Sequence, residues 1–373
     1  MDIILLQPGD VADFIKFPWR VYEGDHLWVP PLIRERKAFL DPDRNPFFQH
    51  ARVQLFLARE GHRTMGRLAA VVNDAHDRFH GERAGFFGLF ECLPDAQAAA
   101  TELVGAAEAW VRERHATFLR GPVNLSTNEL ECGLLVEGFG TAPVFGSSYN
   151  PPYYAQYIEA AGLTKCKDLL AFYRYYHPPL PPRIHRALEA AARLTSRPPV
   201  SIRSINMREL EAEALRITAI YNEAWSDNWG FVPITEAEAR HLARQLKTAI
   251  LPDLSLLAEV DGQAIACFVS IPDLNQVIRP LNGRATPWGL LYAWVRRRRI
   301  DTVRVALLGV KRAYRGQGID LRLLMEIWKQ RAAQCLHWEL AWVLEDNYAM
   351  IRILQEIGAV AYKRYRIYQK IFA

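Results

Sequence analysis

Residues 307–324 read LLGVKRAYRGQGIDLRLL and carry the most informative pattern in the chain. An apolar run that favours a strand ends at Val310, a basic loop follows, and a run with helical spacing begins directly after two glycines. Glycines allow a close approach to a ligand, and the N–H groups and dipole at a helix start favour an anion. Arg312 and Arg315 add positive charge. The stretch therefore predicts an anion-binding turn between a strand and a helix.

The regions around this stretch alternate between patterns typical of strands and of helices. An Asp261-Gly262 pair between two apolar runs predicts a hairpin. The resulting order is strand, strand, insert, strand, helix, strand, helix, strand, which predicts an α/β fold with a mixed sheet and helices on its faces. The predicted strands cover residues 254–260, 264–271, 302–310, 338–344 and 361–372, and the predicted helices cover 207–225, 236–246, 319–333 and 347–356.

The glycine-containing turn resembles the pyrophosphate signature of the GNAT superfamily of N-acyltransferases, Arg/Gln-x-x-Gly-x-Gly/Ala. The matching residues are Arg315, Gly316, Gln317, Gly318 and Ile319. Asp320 stands at the sixth position, where the family has glycine or alanine; its carboxylate would repel phosphate or cap the helix. The resemblance covers roughly residues 200–373 and implies an acyl-CoA N-acyltransferase (GNAT-like) fold with acyl-CoA as co-substrate.

A second family signature follows the strand predicted at 338–344. Asn347 and the pair Gly358-Ala359 match it, whereas Leu354 stands where the family often has a tyrosine that protonates the leaving thiolate. The resemblance implies direct attack of an amine on a thioester, with a base that takes the amine proton. The implied contacts to acyl-CoA are Leu308, Val310, Arg312, Arg315, Gly316, Gln317, Gly318 and Asn347.

Two loops supply the candidate catalytic and acceptor-binding residues. Glu345 is the first candidate for the base and Asp227 the second. Capping of the next helix is the alternative role for Glu345 and the expected role for its neighbour Asp346. The aromatic segment 225–234 is interpreted as a wall of the acceptor site, with a packed connector as the alternative. The residues assigned to this wall are Trp225, Asn228 and Trp229.

A proline-rich stretch divides the chain. Residues 176–182 (YHPPLPP) hold four prolines in seven positions, which is typical of a linker. The sequence therefore predicts one domain at 1–175 and a catalytic, acyl-CoA-binding domain at 183–373 with an insert at 275–300.

The first domain weakly resembles a second, degenerate GNAT-like unit without the pyrophosphate signature, and an unrelated α+β domain is the alternative. Its strand patterns lie at 53–58, 64–72 and 85–91, followed by a helix pattern at 95–114. The whole chain resembles the tandem GNAT-like proteins that include bacterial ceramide synthases, which acylate sphingoid bases. The stretches that carry this likeness are 28–31, 85–91, 149–154 and 342–347.

The insert contains PWGLLYAWVRRRRI at residues 287–300. Apolar residues at helical spacing followed by four arginines suit a helix that lies in an anionic membrane interface. Packing of the apolar stripe onto the protein itself is the alternative. The residues assigned to the membrane are Trp288, Leu291, Tyr292, Val295, Arg296, Arg297, Arg298 and Arg299.

Charge, cysteine spacing and missing motifs argue against several classes of function. The net charge of +5 is too small to indicate a nucleic-acid partner, and the five cysteines contain no CxxC pair, so we expect reduced thiols and no metal site. No apolar run reaches the roughly 18 residues that span a bilayer. Neither a Nudix box nor a P-loop is present. These features favour a cytoplasmic protein, with a peripheral position on the inner membrane as an option.

The expected function is acyl transfer from acyl-CoA to an amine. The membrane-like insert favours a long-chain lipid amine such as a sphingoid base, as in ceramide synthesis. A non-catalytic acyl-CoA or lipid-binding protein and a small-molecule N-acetyltransferase are the alternatives.

Overall fold

The computed structural model describes residues 1–7, 9–175, 181–193, 199–247, 249–331 and 337–372. Within these ranges the chain forms two compact units. Unit 1 consists of Met1–Leu169, Val277–Val295 and Lys363–Ala373, and unit 2 consists of Leu170–Gln276 and Arg296–Tyr362. Residues 176–180 of the predicted linker lie outside the described ranges.

Strands and helices alternate along both halves of the chain. The first half contains β1 (Asp2–Leu5), α1 (Ala12–Lys16), α2 (Pro18–Val21), α3 (Ile33–Phe39), β2 (Ala51–Glu60), β3 (Arg63–Asn73), α4 (Asp74–His80), β4 (Ala84–Cys92), α5 (Gln97–Arg112), β5 (Phe118–Gly121), β6 (Leu134–Glu137), α6 (Tyr154–Ala160) and β7 (Thr164–Tyr175). The second half contains α7 (Pro182–Arg193), β8 (Ser201–Ser204), α8 (Leu210–Ala224), α9 (Glu236–Leu246), β9 (Ser255–Val260), β10 (Gln263–Pro272), α10 (Asn275–Ile278), α11 (Pro287–Arg296), β11 (Thr302–Val310), α12 (Ile319–Arg331), β12 (His337–Leu344), α13 (Tyr348–Glu356) and β13 (Val360–Ile371).

The core of unit 1 forms where α5 packs on the sheet. Apolar residues recur every three or four positions along α5, so one face of the helix is buried. Leu103, Ala107 and Val111 on that face are fully buried, together with Phe87 of β4. Strands β2 and β3 form a long antiparallel hairpin, and β4 runs antiparallel to β3 and parallel to β5.

The last strand of the chain lies beside β5 in the sheet of unit 1. In unit 1 the strand order is β1-β2-β3-β4-β5-β13, and β6 also pairs with β13. Strand β13 pairs with β5 in the antiparallel sense, from Tyr368↔Gly121 to Ile371↔Phe118. The residues of β13 from Lys363 onward therefore belong to unit 1.

Unit 2 repeats the same order of elements. Its strands follow the order β7-β12-β11-β10-β9-β8, to which β7 contributes its residues from Leu170 onward. Helix α12 covers one face, where Ile319 and Leu323 pack against Val303 and Leu308 of β11. A hairpin β9–β10, a strand β11, helix α12, strand β12 and helix α13 thus correspond to β2–β3, β4, α5, β5 and α6 in unit 1.

The structure confirms the predicted mixed sheet with helices on its faces. It groups residues 277–295 and 363–373 with unit 1, although the sequence interpretation assigned both segments to the second domain. Alternating apolar residues indicate a strand but not its pairing partner, so the place of β13 beside β5 is not visible in the sequence.

Four cysteines lie in the described ranges, and all of them are free thiols. Cys92, Cys132 and Cys267 are buried, and burial raises the pKa of each thiol to about 12. They therefore act as small apolar core residues. Cys335 lies outside the described ranges.

Candidate active site

Strands β11 and β12 run in parallel side by side and then diverge. Among the described residues their paired positions end at Val305↔Leu340, whereas β11 continues to Val310 and β12 to Leu344. On its other side β11 stays paired with β10, and a register shift leaves Ala306 as an extra residue in β11. Such bulges bend a strand and are common beside functional sites. The two strands thus open a gap toward their carboxyl ends, called the strand gap below.

A buried ion pair holds the two strands together at the closed end of the strand gap. Arg304 Nε lies 3.6 Å from Glu339 Oε2, and the side chains are 2% and 0% exposed. The hydroxyl of Tyr362 donates a hydrogen bond to the other carboxylate oxygen of Glu339. Loss of one partner would leave an uncompensated buried charge, at a cost of about 3–5 kcal/mol. The pair therefore fixes the position at which β11 and β12 separate.

The glycine loop, defined as residues 311–318, connects β11 to α12. Gly316 and Gly318 have φ angles of +75° and +71°, and a Cβ atom on Gly316 would meet no atom within 4 Å. Ile319, at the first position of α12, is 1% exposed and anchors the helix start in the core. The first N–H groups of α12 have no acceptor within the helix and carry the positive end of its dipole. The loop and the helix start together form a cradle that suits an anionic group such as a pyrophosphate.

The two arginines of the glycine loop bind the carboxyl end of α8. Arg312 donates from its backbone N–H to Glu223 Oε1 at 2.9 Å, and from Nη2 to Ser226 Oγ at 2.6 Å and Asp227 Oδ2 at 2.7 Å. Arg315 Nη2 donates to the last carbonyl of α8 at 2.7 Å. These bonds tie the glycine loop to α8. Direct contact of either guanidinium with a pyrophosphate stays a prediction.

The aromatic loop, defined as residues 225–234, lies against β11. A Cβ atom on Gly309 would stand 2.2 Å from Cζ3 of Trp225, so the indole packs on the strand where only glycine fits. Tyr221 stacks on Trp225 with ring centroids 5.2 Å apart. The side chain of Asn222 exchanges two hydrogen bonds of 2.9 Å with the backbone of the last loop residue. The loop is therefore fixed beside the carboxyl end of β11.

The other two residues assigned to the acceptor wall lie in the turn of this loop. Asn228 donates its backbone N–H to the carbonyl of Trp225 at 2.8 Å, and both Asn228 and Trp229 are half-buried. Burial raises the pKa of the Tyr221 hydroxyl, which stays protonated in this apolar setting. The structure thus brings Trp225, Asn228, Trp229 and Asp227 together on one loop next to the glycine loop.

The residues that follow β12 include the N-cap of α13 and the candidate base. Asn347 is the N-cap of α13, since its side chain accepts the Met350 N–H at 3.2 Å. The cap expected at Asp346 is therefore wrong, and Asp346 is exposed while Glu345 is half-buried. Because β11 and β12 are parallel neighbours, Glu345 follows β12 at the same edge at which the glycine loop follows β11.

The structure shows the environments of Asp320 and Leu354, the two residues that depart from the family pattern. Asp320 lies in the first turn of α12, where the helix dipole favours a carboxylate. Leu354 is 3% exposed and packs with Phe172 and Ala359 in a small apolar core. A buried leucine supplies no proton, so the hydroxyl that the family often has is missing from this position.

The residues assigned to a membrane lie on α11 and on the 3₁₀ turn Arg297–Arg299 that follows it. All of them are exposed. In the described part of the chain, none of the helices has the length and hydropathy of a membrane span. The same part contains no group of three or more His, Cys, Asp and Glu side chains that could hold a metal ion.

Sequence patterns do not single out Gly309, Ser226 or Tyr221. Their roles depend on contacts between β11, the glycine loop and α8, which are distant in sequence. A glycine inside a strand pattern often marks a close approach of another group, and this was the available signal for Gly309.

Solved structures with the same fold are tandem GNAT proteins and related acetyltransferases. A tandem GNAT protein from the clavulanic acid biosynthesis pathway aligns over 99% of this chain and 98% of its own, with a TM-score of 0.58 and 14% identity. A GCN5-related N-acetyltransferase from Sphaerobacter thermophilus aligns over 99% and 95%, with a TM-score of 0.50 and 17% identity. No protein-family model matches the chain.

Two relatives match this chain over nearly its whole length. The bacterial ceramide synthase of Caulobacter vibrioides (strain NA1000 / CB15N) is 36% identical over 377 residues, which cover 97% of this chain and 95% of that protein. Protein YghO of Escherichia coli (strain K12) is 35% identical over 375 residues, which cover 98% and 94%. The chain belongs to the family of these two proteins and has the fold of tandem GNAT proteins.

As a member of this family the chain is an N-acyltransferase. The alternative of a non-catalytic binding protein is therefore not retained. Membership implies a CoA thioester as co-substrate and an amine as acceptor. The open side of Gly316 and the helix start of α12 fit the pyrophosphate of such a co-substrate.

Proposed function

We propose that the chain transfers a long-chain acyl group from acyl-CoA to the amino group of a lipid such as a sphingoid base. The observation that carries the proposal is the meeting of three features at the carboxyl end of β11: the strand gap, the glycine loop and the aromatic loop. The name of the Caulobacter relative, a ceramide synthase, supports a lipid amine.

The donor would be held by backbone groups. N–H groups of the glycine loop and of the first turn of α12 would bind the pyrophosphate, with Gly316 and Gly318 providing the open approach. The backbone of β11 at Leu308 and Val310 would flank the reacting end. When bound, acyl-CoA supplies the thioester carbonyl, at which the new N–C bond forms as the C–S bond breaks. The side chain of Asn347 would act indirectly, by fixing the start of α13.

Glu345 is favoured as the base over Asp227. One oxygen of Asp227 already accepts a hydrogen bond from Arg312 at 2.7 Å, so this carboxylate is engaged in linking the aromatic loop to the glycine loop. Glu345 is half-buried at the edge of the strand gap. In the proposed step Glu345 takes a proton from the acceptor ammonium and passes it to water. As the N–C bond forms and the C–S bond breaks, the nitrogen loses a second proton, which the same carboxyl group would return to the departing sulfur because Leu354 has no hydroxyl.

The aromatic loop would form the acceptor side. Trp225 is held on Gly309 and stacked by Tyr221, so the wall is rigid and largely apolar. Such a wall excludes water from the reacting amine and fits a long aliphatic acceptor better than a small polar one. Trp229 and Asn228 would complete it.

The proposed substrates call for a site that lipids can reach. A long-chain amine and a long-chain acyl donor both partition into bilayers, so we propose a peripheral position at an anionic membrane surface. The exposed apolar residues and arginines of α11 and the following turn support this position.

Release of free CoA thiol tests the proposed reaction. Purified enzyme would be incubated with palmitoyl-CoA and a sphingoid base in mixed micelles, and with acetyl-CoA and small amines in buffer, while mass spectrometry identifies the amide. We expect CoA release and amide formation with the long-chain pair. Activity confined to acetyl-CoA and small amines would refute the lipid substrate and favour a small-molecule N-acetyltransferase. No thiol release with any pair would refute the assigned site.

A further inference from the structure

Helix α11 exposes apolar side chains over more than half of its circumference. None of its residues is buried. Besides Trp288, Leu291, Tyr292 and Val295, the structure also exposes Leu290 and Trp294, which point in other directions because successive helix positions differ by about 100°. The exposed fractions are 80% for Trp288, 59% for Trp294 and Val295, 49% for Leu291, 47% for Leu290 and 40% for Tyr292. The apolar side chains of α11 are therefore largely exposed to solvent.

The insert also accounts for the net positive charge of the chain. Residues 275–300 contain six arginines and no aspartate or glutamate. The formal net charge of the whole chain is +5, so the remaining residues hold one more acid than base. Arg296, Arg297, Arg298 and Arg299 follow α11 directly, and all four are exposed. Apolar surface and concentrated positive charge thus occur on the same short segment.

The segment before α11 is firmly attached to unit 1. Leu281 is buried, and a Cβ atom on Gly283 would stand 2.4 Å from the Trp19 ring. Trp19 Nε1 donates to Asn282 Oδ1 at 2.8 Å, and the Ile33 N–H donates to the carbonyl of Gly283 at 3.0 Å. The segment that precedes the exposed helix is therefore packed against unit 1, and this packing fixes the position of α11 in that unit.

We propose that α11 and Arg296–Arg299 form a docking surface for an anionic lipid bilayer, with the helix lying in the interface and the arginines against lipid phosphates. A bilayer interface accommodates an apolar face this broad, with the arginines beside it at the level of the lipid phosphates. A second copy of the chain would bring an insert that equally lacks acids, so its charges would not complement the four arginines. Binding of α11 to the bilayer does not depend on the proposed function, whereas its use in delivering lipid substrates rests on that function.

Vesicle co-sedimentation tests the proposal with matched variants. The probes are vesicles of phosphatidylcholine alone and of equal parts phosphatidylcholine and phosphatidylglycerol. One variant replaces the four arginines Arg296–Arg299 by Gln, and a second carries Trp288→Ser with Trp294→Ser. The charge control replaces four exposed arginines with acidic neighbours, Arg52, Arg240, Arg244 and Arg352, by Gln. The apolar control carries Leu242→Ser with Ile371→Ser, which are exposed elsewhere.

Wild type should bind the anionic vesicles, and binding should fall as salt rises. We expect the four-arginine variant to lose at least about 100-fold in partition, since each arginine near an anionic surface adds about fivefold. The two-tryptophan variant should lose at least about tenfold, because its main apolar contacts with the interface are gone. Both controls should bind like wild type.

Three results would overturn the proposal. The first is wild type that ignores anionic vesicles at low salt, and the second is a charge control that loses as much as the four-arginine variant. The third is a wild-type dimer in sedimentation velocity that the two-tryptophan variant abolishes, without vesicle binding, because α11 would then contact a second copy. Acyl transfer between substrates dissolved in micelles is measured in parallel. The residues proposed to carry out the reaction all lie in unit 2, outside α11, so failure of docking and failure of the proposed reaction are distinguishable.

Discussion

Gly316→Ala and Gly262→Ala form a matched pair of changes that tests the glycine loop. Gly262 lies in the β9–β10 hairpin, and the φ angles are +75° at Gly316 and +77° at Gly262. A Cβ atom at either position would meet no atom within 4 Å. Each substitution therefore adds backbone strain without a clash, at a cost of about 1–2 kcal/mol. In a unit of this size the melting temperature should fall by roughly 2–8 °C for both variants.

Only Gly316→Ala should weaken binding of the CoA donor. A methyl group on Gly316 would occupy the open space beside the N–H groups of α12, where the pyrophosphate is proposed to bind. We expect the Kd for CoA to rise at least about tenfold, which is about 1.4 kcal/mol, for Gly316→Ala. For Gly262→Ala the Kd should stay within about twofold of wild type. Calorimetric titration with CoA measures both. Equal affinities in the two variants, at similar losses of melting temperature, would refute the cradle.

Two further predictions concern the proposed base and a buried histidine. Glu345→Gln should lower kcat at least about 100-fold with little change in KM for acyl-CoA, and this loss should become smaller at higher pH, where more of the amine is unprotonated. The change Glu356→Gln on α13 serves as the control. A wild-type kcat in Glu345→Gln would place the base elsewhere. Burial lowers the pKa of His76 from its ordinary 6.5 to about 4, so the unfolded chain takes up this proton first. The free energy of unfolding should therefore fall by about 2–3 kcal/mol as pH drops from about 6.5 to about 4. In urea melts His76→Gln should lose that pH dependence, and equal slopes for variant and wild type would contradict it.

Elements with strong local patterns are predictable from the sequence. Strand β11 and helix α9 have the predicted bounds, and α12, β12 and β13 begin within one residue of the predicted positions where the structure describes them. Their apolar residues repeat with the period of the element, and the Asp261-Gly262 turn adds a local signal. The glycine loop was identified for the same reason, since its glycines, arginines and helix start are adjacent in the chain.

Features that depend on partners distant in sequence are not predictable in this way. The short strands β1 and β8 each hold four residues, too few to show a period. The ion pair of Arg304 with Glu339 and the contact of Trp225 with Gly309 arise only when separate elements meet. The same holds for the grouping of residues 277–295 with unit 1. Local periodicity shows that a side chain is buried, but not which side chain it meets.

The two units share one order of elements, yet only unit 2 has an open turn after its central strand. In unit 1 the connection from β4 to α5 has four residues, 93–96, and Asp95 places a carboxylate at the helix start. Tyr153 donates to the carbonyl of Cys92, and the hydroxyl of Tyr154 accepts the N–H of Cys92 while donating to Glu91. These tyrosines and acids occupy the strand end at which an anion would have to bind. Unit 1 thus repeats the order of elements without an open turn at this position, and its first segment holds residues 282–283, which precede α11, through Trp19 and Ile33.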